Sequence, residues 1–150
     1  MRVYIFKLIA ISILFFVFCS SAPDYVPKIR YTPGPGPISS EMDKNDKGTG
    51  PITSIKPGPF DTSLAKEGDS ILNVKCYSCH ALQYSKIGPP LGMVLKEHSP
   101  EYVMNMIINP LGMEEKDPHV KFLITRYGSL MPYLSLDSAQ ARAVVEALRK

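Results

Sequence analysis

Between residues 20 and 60 the chain carries eight of its fourteen prolines and five of its ten glycines, with Pro33-Gly34-Pro35-Gly36-Pro37 at the centre. Proline removes backbone donors and favours extended polyproline geometry, and few aliphatic side chains fall in register there. No core forms from such a stretch. Residues 19–60 therefore read as a partly stiff, solvated Pro/Gly-rich linker, with a reach of roughly 60–120 Å between its coil and extended limits. Folding is confined to residues 61–150 of a 150-residue chain, which is one domain of modest size.

Upstream of the linker, Arg2 and Lys7 precede an almost purely apolar run from Leu8 to Phe18, followed by Cys19-Ser20-Ser21-Ala22-Pro23. A charged start, an apolar middle and a small-residue exit are the layout of an export signal, so residues 1–18 are expected to be a signal peptide or membrane anchor. The apolar run is shorter than the twenty or so residues that span a bilayer, which favours export over a permanent span. Phe16-Val17-Phe18-Cys19 resembles a bacterial lipoprotein box, with Phe where such boxes carry leucine and a small residue. That resemblance implies lipidation at Cys19 and a domain tethered on the periplasmic side of a bacterial membrane. The alternatives are cleavage after Ser21 or Ala22, or retention of the apolar segment.

Residues 61–150 hold ten basic and ten acidic side chains, so the formal charge of +3 arises outside the folded part. That balance gives no support to a nucleic-acid-binding face. Three cysteines, two of them three positions apart, are too few for a disulfide-stapled scaffold.

The periodicity predicts four helices and no strand. Asp61, Thr62 or Ser63 caps the first, whose apolar side falls on Leu64, Gly68, Ile71 and Leu72 and which stops near Lys75. Ser99-Pro100-Glu101 opens a second, with Val103, Met106 and Ile107 inward and an end at Asn109 before Pro110. Asp117-Pro118 opens a third, striped by Val120, Leu123, Ile124 and Tyr127 and closed by Gly128. Asp137 with Gln140 forms a capping box for the last, which carries Val144, Val145 and Leu148 and ends on Arg149 and Lys150. Four short helices bury too little apolar surface to be secure alone, so another buried body is expected in the middle.

Cys76-Tyr77-Ser78-Cys79-His80 supplies a candidate for that body. C-x-x-C-H is the spacing of a c-type haem attachment site. Two thiols at this separation reach the two vinyl groups on one edge of a porphyrin, and the next residue places an imidazole beneath the iron. The expected cofactor is one covalent haem c.

With this motif, Gly88-Pro89-Pro90-Leu91 after it, Met131-Pro132 after the third helix and a terminal helix in the usual order, residues 61–150 resemble a class I monohaem cytochrome c. The resemblance implies an all-α fold of about four helices wrapped around the haem. It implies that the Pro89 carbonyl accepts the His80 imidazole proton and that His80 and Met131 are the axial ligands. Met104 and Met106 lie in a helix stripe, Met93 and Met113 in loops and Met42 in the linker; His98 and His119 remain alternatives to Met131. The first and last helices are expected to cross through Gly68, against Val144, Ala147 or Leu148.

His/Met ligation leaves iron no open position, which restricts the chemistry to electrons. The expected function is single-electron shuttling between redox partner proteins, with no small-molecule substrate and no enzymatic activity. The alternatives are a fixed haem subunit of a larger oxidoreductase, and a haem enzyme or sensor with an open sixth site. A thiol redox pair or half of a zinc site fits the cysteines less well, for want of a preceding strand or further ligands at sensible spacing.

Overall fold

The computed structural model describes residues 44–150; the expected signal or anchor at 1–18, Cys19 and the Pro33–Pro37 run lie outside them. Among the described residues the fold is all-α, as expected, with six α-helices rather than four. Helix α1 spans Thr62–Ile71 and continues into a π-helical turn, Leu72–Cys76; α2 spans Val94–Glu97, α3 Pro100–Ile108, α4 Pro110–Lys116, α5 Pro118–Tyr127 and α6 Ser138–Ala147. None of them is long and apolar enough to cross a membrane.

The helix starts follow from short polar side chains that satisfy orphan amides. Asp61 accepts from the amides of Ser63 and Leu64, Ser99 from Tyr102 and Asp117 from Val120. Asp137 and Gln140 close the reciprocal capping box at α6. Gly128 ends α5 at φ 63°, a left-handed conformation that glycine adopts without a Cβ penalty.

The two additional helices have a common origin in the reading of short segments. Pro110 stands just beyond the end of α3, as expected, and also occupies the first turn of α4, where its missing N–H costs nothing. The four-residue α2 is a single turn.

Among the described residues, helices α1 and α6 form the most extensive contact. A Cβ on Gly68 would lie 2.0 Å from the Ala143 carbonyl oxygen and 2.9 Å from the Ala147 Cβ. The crossing therefore runs through Gly68 as expected, against Ala143 and Ala147. The main core gathers Leu72, Val103, Met104, Ile107, Leu136, Val144 and Val145, with a smaller cluster of Tyr102, Met113 and Val120 beside it.

The chain begins to pack well before Phe60, which corrects the linker boundary. Asn105 on α3 is 1% exposed. Its Nδ2 donates to the carbonyls of Lys47 (2.8 Å) and Ile52 (2.9 Å), and its Oδ1 accepts from the Ile52 amide (3.0 Å). Ser99 Oγ donates to the Asp46 carbonyl and Asn109 Nδ2 to that of Thr49, while Ile52 and Ile55 pack on the core. Residues 46–55 are thus a strap bound across α3 by side-chain amides, which supply the backbone partners that an unpaired Pro/Gly segment lacks.

Candidate haem site

The helices enclose a cavity of about 1060 Å³ whose walls include Cys76, Cys79, His80, Pro89 and Met131. Apolar side chains such as Leu72, Val103, Ile107 and Val144 line it as well. The body missing from the helical core has its place here.

The π-helical turn delivers the two thiols. The Tyr77 amide bonds to the Leu72 carbonyl at 2.9 Å, five residues back, which inserts an extra residue into the turn. The amides of Cys79 (3.1 Å) and His80 (2.9 Å) then both bond to the Cys76 carbonyl, so the motif coils within one tight turn. Cys76 is buried and Cys79 half-buried, and they form no disulfide with each other. Burial, with the Cys79 thiol as a lesser cause, pushes the Cys76 thiol above its ordinary range.

His80 is oriented by the segment that follows. Its Nδ1 lies 2.7 Å from the Pro89 carbonyl oxygen. A carbonyl only accepts, so Nδ1 carries the proton and Nε2 keeps its lone pair. Burial lowers the imidazole pKa; the Pro89 bond opposes that fall and the charge of Lys86 adds to it. The Gly88 amide bonds back to the Cys79 carbonyl at 2.9 Å, and Leu91 and Gly92 bond to Ala81 and Leu82 at 2.8 Å each. A Cβ on Gly88 would stand 2.5 Å from His80 Cε1, so the loop approaches the ring closely because that residue has no side chain.

Met131 lies in the irregular segment between α5 and α6, and its amide donates to Glu114 Oε1 of α4 at 3.1 Å. Met93, Met106, His98 and His119 also reach the cavity wall. Met113, expected in a loop, is instead fully buried on α4, where its sulfur accepts the Thr49 amide at 3.0 Å. His98 stacks on Tyr102 with centroids 4.2 Å apart and meets His119 at 5.1 Å. Burial first, and then His119, lowers the His98 pKa to about 4.

The chemistry of the cavity fits a porphyrin. Two thiols and an imidazole stand at its wall with a thioether, and two buried polar atoms, the Tyr102 hydroxyl and His119 Nδ1, have no hydrogen-bond partner. Buried polar groups are rarely left unpaired, and a macrocycle bearing carboxylates would supply acceptors. Burial, reinforced by Asp117, raises the Tyr102 pKa and keeps its hydroxyl a donor. Neither Tyr102 nor Glu114 was anticipated as a site residue. Tyr102 sits on a helix face read as ordinary core, and Glu114 lies on a helix that was itself unexpected.

A helical wrap around one cavity, with C-x-x-C-H on its wall and a methionine in the loop before the last helix, defines a cytochrome with covalently attached haem. Cytochrome c from Rhodothermus marinus is similar over 67% of this chain and 87% of its own length, at 40% identity and a TM-score of 0.66. An engineered form of that cytochrome, Rma TDE, matches at 39% identity over 67% of this chain and 88% of its own, with a TM-score of 0.64. The same engineered protein bound to a carbene intermediate matches at 40% identity, covering 67% and 88%, with a TM-score of 0.62. No protein-family model and no curated sequence matches. The chain belongs to the class I monohaem cytochromes c, and its cofactor is covalently bound haem c.

Proposed function

We propose that the protein carries single electrons through one haem c, with thioether bonds to Cys76 and Cys79 and axial ligation by His80 and Met131. The observation that carries this reading is the convergence on one cavity of two thiols, an imidazole already oriented by Pro89 and a methionine sulfur. When bound, haem c supplies a one-electron Fe(III)/Fe(II) couple.

Cys76 and Cys79 would hold the haem, each thiol forming a thioether by adding across a vinyl group, with no net oxidation or reduction. His80 presents Nε2 while its Nδ1–H is held by the Pro89 carbonyl, which fixes ring orientation and raises ligand basicity. Met131 contributes a soft thioether, which favours the reduced state. His98 is already engaged between Tyr102 and His119, which speaks for Met131 in the sixth position. The partners are redox proteins rather than small-molecule substrates. Export to the periplasmic side, with a membrane tether through lipidated Cys19 or an apolar anchor, rests on the Arg2-to-Pro23 pattern.

The test is optical. The matured protein should keep its colour through acid–acetone extraction, titrate as one single-electron wave and show the methionine-to-iron charge-transfer band when oxidised. A double Cys76→Ser, Cys79→Ser variant should lose the covalent colour. A colourless mature protein, or haem that extracts from the wild type, would overturn the proposal.

A second reading, reactivity at an opened sixth site, draws on the engineered Rhodothermus marinus cytochrome with its bound carbene intermediate. Rapid binding of carbon monoxide by the unmodified reduced protein would favour it.

A further inference from the structure

The segment that bears Met131 has no regular secondary structure between Gly128 and Asp137, so its backbone polar groups have no helix ladder to hold them. The Met131 amide reaches across to α4, 17 positions earlier, and donates to Glu114 Oε1 at 3.1 Å. Helix α4 is itself anchored: Pro110 sets its first turn, and Met113 is 0% exposed beneath the strap, where its sulfur takes the Thr49 amide. Burying Met113 fixes the rotation of this short helix. Glu114, the next residue round, is thereby held half-buried at the cavity wall that Met131 shares.

We propose that Glu114 is a positioning residue for the sixth ligand, its carboxylate holding the Met131 amide and so keeping the thioether at the cavity. The proposal rests on the reading of Met131 as axial ligand. Glu114 acts twice. As an acceptor it restrains a loop that is otherwise irregular, and as a negative charge beside the cavity it favours the oxidised, more positive state of the site.

Two substitutions separate these effects in the purified holoprotein. Glu114→Gln keeps an acceptor oxygen and removes the charge; Glu114→Ala removes both. With Glu114→Ala, the methionine-to-iron charge-transfer band should weaken and exogenous imidazole should bind about tenfold more tightly, the scale expected for losing a hydrogen bond to a charged group. With Glu114→Gln, the band should persist, imidazole affinity should stay within about threefold of wild type, and the midpoint potential should rise. Helical circular dichroism should be unchanged in both. An undiminished band and unaltered imidazole binding in Glu114→Ala would overturn the role of Glu114 while leaving Met131 as ligand. Absence of the band from the wild type would overturn both readings together.

Discussion

Glu146 is completely buried in α6, yet it carries a charge. Its Oε1 accepts the Asp61 amide at 2.8 Å, Arg142 donates to Oε2 at 2.7 Å, and Arg149 Nη1 donates to both oxygens at 2.8 Å. Arg149 also reaches the Gly58 carbonyl, so the carboxylate and its guanidinium partner join the start of α1, the last turn of α6 and the segment between strap and α1. Burial raises its pKa, but the Asp61 amide and the two guanidinium groups outweigh that cost and bring it from an ordinary 4.5 down to about 2. A depressed carboxylate stabilises the fold fully above the unfolded value and loses that contribution as pH falls towards the folded one. Stability of the holoprotein should therefore decline between about pH 4.5 and about pH 2, and Glu146→Gln should flatten that decline while lowering stability at neutral pH by about 2 kcal/mol. Denaturant titrations of both proteins across this range check it; parallel pH profiles would disprove it. Cys76, Cys79 and His80 stand on one cavity wall because their spacing within a single tight turn brings them together. Glu146 was not legible in the sequence, because a polar residue between Val145 and Ala147 reads as a solvent-facing position. Its signal was the flanking pair Arg142 and Arg149, four before and three after, which marks one helix face.

At the scale of elements, every start assigned from a cap was found, because Asp61, Ser99, Asp117 and Asp137 act locally on their own first turns. Pro100 and Pro118 signal helix starts; Pro110 marks the end of α3, as expected, but by the same first-turn chemistry it also opens α4, a start that was not expected. The strap was missed for a non-local reason. Its composition shows that residues 46–55 cannot form their own core, but not that Asn105, some fifty residues later, offers three hydrogen bonds to their backbone. A Cβ on Gly50 would lie 2.2 Å from Asn105 Oδ1, so the close approach also depends on that glycine. Asn105→Ala should free the strap without unfolding the helices. Protection of the Ile52 amide from hydrogen exchange should fall sharply, with a loss of about 1–3 kcal/mol in global stability. Unchanged protection of that amide would show that Ile52 and Ile55 hold the strap by packing alone.

Among the described residues, six short helices and a strap surround a space as much as they surround a core, one that haem c would fill. How an electron partner finds that group depends on the field around it. From residue 46 on, twelve basic and eleven acidic side chains leave the packed part with almost no net charge with which to steer a partner from a distance. The cavity wall is in part apolar, with Leu82, Ile87, Met93 and Leu130 among its lining residues. Apolar contact acts at short range and is insensitive to salt, whereas a Coulombic field is screened within about 8 Å at physiological ionic strength. Electron transfer to a small anionic oxidant such as ferricyanide, and to a cationic cobalt complex, should therefore change by less than about threefold between roughly 10 and 200 mM salt. Stopped-flow rates with both reagents test the field without requiring the physiological partner. A steep fall with the anion and a rise with the cation would reveal a positive ring around the haem edge, and docking would then be electrostatic. Flat profiles with both would leave encounter to short-range apolar contact.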